Sequence, residues 1–122
     1  MKLRERLLAM AKPVAMDGPD AWSMDFDIGA DFEIFQGHFP GHPVLPAVVQ
    51  ILMAEVVLER GQRRRVRLGE LVKGKFTTPV IPPCRVRCTV TQAGAYRWNA
   101  ILEADGKPAA SMQWQEGSHE NP

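Results

Sequence analysis

Between Pro46 and Gly61 the chain reads AVVQILMAEVVLER, a helical run in which only Gln50, Glu55 and Glu59 interrupt the apolar surface before the terminal arginine. A helix that is apolar on nearly every side must be buried on nearly every side. The remaining chain therefore has to wrap it. With 122 residues, 45% of them hydrophobic, there is material for one domain, spanning residues 1–122. Folding at this length removes roughly two thirds of the unfolded chain's surface from water, which supports a full core without staples. A second sheet or a second domain would not fit.

The wrapping material is strand. From Ala21 to Ile28, Trp22, Met24, Phe26 and Ile28 alternate with Ser23, Asp25 and Asp27, the period of a half-buried strand. After the turn Arg63-Arg64-Arg65 come four more segments: residues 66 to 78, the Cys84/Val86/Cys88/Val90 alternation, the Tyr96/Trp98/Ala100 alternation and the Ala110/Met112/Trp114 alternation. Asp105-Gly106 marks a hairpin between the last two. Ahead of them all, Leu3, Leu7, Leu8 and Met10 stand at helical spacing, and Pro13 and Gly18-Pro19 close the segment, so a short amphipathic helix within residues 1–13 is expected. The tail from residue 116 to 122, EGSHENP, has no apolar residue and is expected to be disordered. The assembled expectation is α+β: one long buried helix against a single antiparallel sheet of about five strands. Such a sheet leaves edges and an uncovered face, and self-association is the expected remedy.

Fifteen basic residues stand against fourteen acidic ones, which removes bulk attraction to nucleic acid. Their distribution is uneven. Six acids and no base lie between Asp17 and Glu33, whereas nine bases and one acid, Glu70, lie between Arg60 and Arg87. Solvated faces of a folded domain and a basic surface for an acidic partner both fit this pattern. No apolar run approaches the ~20 residues needed to span a bilayer, and the N-terminus shows no cleavage-site pattern, so a cytoplasmic protein is expected. Cys84 and Cys88 would sit about 13 Å apart along a strand, too far for a disulfide, and are expected to be reduced core residues.

Residues 29 to 46 carry Gly29, Gly37, Pro40, Gly41, Pro43 and Pro46, too many breakers for a regular element, together with His38 and His42. Three prolines stiffen the end of this loop and set His38 ahead of a helix N-terminus, whose N–H groups can accept developing negative charge. A neutral imidazole suits a general base near pH 7. A carbonyl oxygen held by the N–H of Ala47 or Val48 would have its enolate stabilised. Base plus oxyanion donor is what removal of a proton α to a thioester carbonyl requires. A hydrogen-bonded structural histidine has the same local signature. No metal is expected, because the prolines deny His38 and His42 a helix and no acidic ligand stands at a standard spacing.

The string GHFPGHPVLPAVVQ closely resembles the active-site segment of the hotdog-fold 3-hydroxyacyl-acyl-carrier-protein dehydratases. A second stretch, Lys75-Phe76-Thr77-Thr78-Pro79-Val80-Ile81-Pro82, resembles that family's "KF..PV.PG" element, with Pro83 where glycine is usual. The Pro-Val-Leu-Pro-x-Val-Val-Gln variant is most similar to dehydratases of aryl-polyene-type pathways. The resemblance implies a hotdog fold and dehydration of a 3-hydroxyacyl thioester carried on a phosphopantetheine arm, with no other cofactor. It also implies an acyl carrier protein as partner and a homodimer, or a heterodimer with another hotdog subunit. Carried over, His38 is the base and the Ala47 N–H the oxyanion donor, with Val48, Phe39 and Gly41 beside them. Arg63, Arg64 and Arg65 are the first residues expected to meet the carrier.

One position departs from the pattern. The family's proton-donating Glu or Asp lies fourteen residues after the histidine, and that position is Leu52. The nearest substitute is Glu55, 60° around the helix and about 4.5 Å further along it; an acid exposed or paired at a helix edge is the plainer account of it. A catalytically impaired subunit that binds an acyl carrier or pairs with an active dehydratase therefore stands as the alternative, and a thioesterase of the same fold as a third.

Overall fold

The structure is a computed structural model and describes residues 2–32, 34 and 43–117. In chain order the elements are α1 (Leu3–Ala9), β1 (Ala15–Gly18), β2 (Ala21–Ile28), α2 (Ala47–Gln62), β3 (Leu68–Phe76), β4 (Cys84–Gly94), β5 (Arg97–Ala104) and β6 (Lys107–Glu116). The strands form one antiparallel sheet in the order β1-β2-β4-β5-β6-β3. β3 and β1 are its edges, and α2 packs on one face against β2 and β4.

The register shows why the alternation was needed. Met24, Cys88, Leu102 and Ala110 lie opposite one another across four strands, and Val90, Ala100 and Met112 form the next row; all are buried under α2. On the opposite face the same strands pair Asp25 with Arg87 at 2.8 Å and Asp27 with Arg85 at 2.9 Å. The Arg87 guanidinium holds the Asp25 carboxyl below its ordinary range. Part of the uneven charge along the chain is thus cancelled across the β2–β4 ladder, and exposed pairs of this kind contribute at most ~1 kcal/mol each. Asp105 and Gly106 both take positive φ, 50° and 83°, as the expected hairpin requires. Both cysteines are free. Cys88 is fully buried and its thiol is pushed up to about 12 by desolvation, while Cys84 is only half-buried.

Four boundaries differ from the sequence reading, each for a tertiary reason. The sheet has six strands, because Ala15–Gly18 pairs with β2; β1 is exposed along most of its length and so carries no alternation to detect. The N-terminal helix ends at Ala9. From there Ala11 bridges to Phe26, the Lys12 N–H donates to the Asp25 carbonyl and the Asp27 N–H to the Met10 carbonyl, so the chain runs along the edge of β2 instead of continuing to coil.

The third difference is at Gly61, which does not stop α2. The helix runs on to Gln62 and closes on Arg63 in the left-handed conformation (φ 55°, ψ 42°). Glycine is required at 61 for space, since a Cβ there would lie 2.4 Å from Cγ of Trp22. The fourth is at the C-terminus, where residues 116 and 117 are held in the fold and the rest of the expected disordered tail lies outside the described residues. Glu116 is buried, and the Gly117 N–H donates to the Arg67 carbonyl at 2.6 Å.

Candidate active site

The approach to α2 is built from backbone. Leu45 is 1% exposed, and its N–H donates to the Val80 carbonyl at 2.9 Å, tying the end of the proline-rich loop to the segment between β3 and β4. Pro46 then caps α2 with extended dihedrals (φ −63°, ψ 151°) and offers no side-chain acceptor. Its carbonyl accepts the N–H groups of both Val49 and Gln50, at 3.1 and 3.2 Å. The N–H groups of Ala47 and Val48 have no acceptor among the described residues. Both residues are exposed, Val48 at 68%. Among the described residues the two expected oxyanion donors are therefore unpaired, at the positive end of a 16-residue helix. His38, Phe39 and Gly41 lie outside the described residues.

Further along α2, Leu52 is half-buried against the core. The Glu55 carboxylate is paired with Arg4 of α1, and the same guanidinium pairs with Glu59. Glu59 also accepts the Val66 N–H at 2.9 Å. This Arg4 clamp docks α1 onto α2. It gives Glu55 a structural role, and to donate a proton to substrate the carboxylate would first have to leave Arg4.

The expected docking arginines separate. Arg64 is tied down while its side chain stays about a third exposed: it donates twice to Glu116, at 2.8 and 2.7 Å, and once to Gln62. The side chain of Glu116 is fully buried and also accepts the Trp98 indole N–H at 2.7 Å. The Glu116 carboxylate holds the Arg64 guanidinium firmly in its charged form. Arg63 and Arg65 are exposed, as is Arg60, and together with Arg64, Arg4, Glu59 and Val56 they line a cleft of about 620 Å³. Sixteen residues at 1.5 Å each put this cleft about 24 Å from the open end of α2. Among the described residues no group of His, Cys, Asp and Glu could hold a metal ion, and no helix is long and apolar enough to cross a membrane.

Sequence reasoning missed Arg4 and Glu116 as partners, because both pairs join residues more than fifty positions apart. Gln50 did carry a signal, as a lone polar residue on an apolar stretch. Its side chain is buried and its Nε2 donates to the Leu45 carbonyl at 3.1 Å.

Comparison with known proteins agrees with this architecture. The chain is 28% identical, over 72% of its own length and 61% of the other's, to a 3-hydroxyacyl-[acyl-carrier-protein] dehydratase FabZ of Acidiphilium cryptum. It is 31% identical, over 67% and 63%, to the FabZ of Erythrobacter litoralis. The chain thus spans about three fifths of the length of these curated relatives. Among solved structures, the dehydratase heterocomplex ApeI:P of Xenorhabdus doucetiae superposes with a TM-score of 0.73 over 88% of this chain and 96% of that one, at 17% identity. The E. coli PaaI protein gives 0.69 over 95% and 87%, at 10% identity. At those identities the likeness establishes the fold, which is the α+β hotdog arrangement. Residues 15–113 match the family model described as ApeI-like, ApeI dehydratase, and the chain belongs to that family.

Proposed function

We propose that the chain dehydrates a 3-hydroxyacyl thioester, carried on the phosphopantetheine arm of an acyl carrier protein, to the trans-2-enoyl thioester and water. The observation that carries this reading is the uncapped start of α2, with two open N–H donors placed directly after GHFPGHPVLP. His38 takes the α-proton, the Ala47 N–H, with Val48 beside it, holds the thioester oxygen as charge builds on it, and the 3-hydroxyl leaves as water with a proton from solvent water, while the imidazolium formed at His38 returns its proton to solvent. Phe39 and Gly41 are assigned to substrate binding by the family resemblance alone. The acidic carrier meets Arg63, Arg64 and Arg65, with Arg60 in the same cleft. Family membership and the FabZ relatives support the reaction class.

The protein is further proposed to work as a dimer. β3 is an unpaired edge, and Leu71 and Phe76, which share the face of buried Trp114 and Ala110, remain about two-fifths exposed at that edge. A second copy adding its own β3 would cover them. Sedimentation equilibrium at micromolar concentration is expected to give twice the 13.6 kDa chain mass; a monomer would count against the assembly and leave the edge unexplained.

The proton for the leaving hydroxyl is the point to test. Leu52→Glu returns a carboxyl to the position the family uses. Burial raises its pKa, which favours the protonated donor, while an ionised form would cost several kcal/mol of stability. A less stable, more active protein is the expected result, read as enoyl thioester formed per unit time. Glu55→Gln, in contrast, is expected to leave turnover within about twofold and to lower stability by ~1 kcal/mol through the lost Arg4 pair. If Glu55→Gln silences the enzyme, Glu55 is the acid. The second reading, a non-catalytic binding subunit, is favoured by Leu52 itself, and it gains if neither the natural chain nor Leu52→Glu forms product with any acyl length.

A further inference from the structure

The amide of Gln50 is only half used. The residue is 4% exposed in the first turn of α2; Nε2 donates to Leu45, but Oε1 has no hydrogen-bond partner among the described residues. A buried acceptor without a partner is a destabilising feature. Leucine would occupy much the same volume without it, so packing alone does not account for the amide. What the amide does is local. It completes a two-sided grip on Leu45, whose N–H is held by Val80 and whose carbonyl is held by Gln50. Leu45 stands two residues before Ala47, with the rigid Pro46 between. The grip also selects one amide orientation, because a flipped amide would set Oε1 against the Leu45 carbonyl, acceptor to acceptor.

We propose that Gln50 is a positioning residue for the dehydration: by fixing Leu45 it sets the direction of the Ala47 and Val48 N–H groups toward the thioester oxygen. It does not touch the reacting atoms. The inference rests on the reading under Proposed function, and its test must separate the two. Misplacing a donor by about 1 Å can cost on the order of 10²-fold in rate, so Gln50→Leu is expected to lower kcat by ~10–100-fold. KM should stay within about twofold and the thermal midpoint should not fall, since the variant also removes the unpaired acceptor.

Gln50→Glu gives a sharper signature. A protonated carboxyl can donate to the Leu45 carbonyl and an ionised one cannot, and burial raises the pKa of the group. Measured as a ratio to the natural chain at each pH, which cancels the titration of His38, turnover of this variant should be retained where the carboxyl is protonated and fall as pH rises through that pKa. Independently of activity, the amide NMR resonances of Leu45, Ala47 and Val48 should shift or broaden in Gln50→Leu, while those of Val57 and Leu58 hold.

Wild-type kcat in Gln50→Leu, or unmoved Ala47 and Val48 resonances, would overturn the inference. So would a loss of turnover that merely follows a loss of folded protein, which marks a structural role. If the natural chain itself forms no enoyl product, the proposed reaction fails, and the resonance test alone decides whether Gln50 sets the helix entrance. If Gln50→Leu does not fold, the pH limb of Gln50→Glu decides, and its absence refutes the proposal.

Discussion

His38→Ala is expected to lower turnover of a 3-hydroxyacyl thioester by ~10²–10⁴-fold, the usual contribution of a positioned general base. The residual rate would come from the open N–H donors of Ala47 and Val48, which polarise the carbonyl without any imidazole. Fold stability should change little, because the end of the loop is tied to the fold by the hydrogen bond from Leu45 to Val80, which does not involve the imidazole. Rate and thermal midpoint measured on the same preparation check both halves. Unchanged turnover would remove His38 from the mechanism, and a collapse of the midpoint would give it a structural role instead.

Glu116→Ala should have the largest effect on stability outside the core, about 3 kcal/mol. The carboxylate is fully buried and answers three donors at once, two from Arg64 and one from the Trp98 indole. Removing it strands a buried indole N–H, which costs ~1–3 kcal/mol, and breaks an ion pair whose arginine remains about a third exposed, so only part of the ~3–5 kcal/mol typical of a buried pair is lost. For a chain of this length the thermal midpoint should fall by about 10 °C. Glu116→Gln retains an acceptor for Trp98 and should lose less. A shift below about 2 °C for the alanine variant would mean that water replaces the network at little cost.

Much of the fold was legible because its cause is local. β2 begins and ends where the alternation of Trp22 to Ile28 does, and the Asp105-Gly106 turn has the positive φ angles that its residues invite. The features that were not legible depend on distant partners. Gly61 reads as a helix stop until Trp22 is seen against it, and Glu116 reads as the start of a polar tail until Arg64 and Trp98 close on it. β1 is an edge strand exposed along most of its length, so it leaves no apolar period in the sequence.

The site shows the same division. The GHFPGHPVLP string marked the entrance of α2, and the open Ala47 and Val48 donors follow from a proline cap that any reader of Pro46 could place. The fate of Glu55 was out of reach, because helical geometry gives its direction around α2 but cannot show that Arg4 arrives from another helix to claim it. The pairing of Arg64 with Glu116 was out of reach for a related reason. Three consecutive arginines look alike in sequence, and only the left-handed turn at Arg63 decides which of them points inward to Glu116 and which two stay exposed.

The central claim is that this chain is a dehydratase even though leucine stands where the family carries its acid. The deciding experiment incubates the 122-residue chain with 3-hydroxyacyl carrier-protein thioesters of several acyl lengths and follows the enoyl thioester by mass spectrometry. The account predicts enoyl product with at least one length, at a rate that falls by two orders of magnitude or more in His38→Ala. Carrier protein that binds the chain yet yields no enoyl product at any length would contradict it.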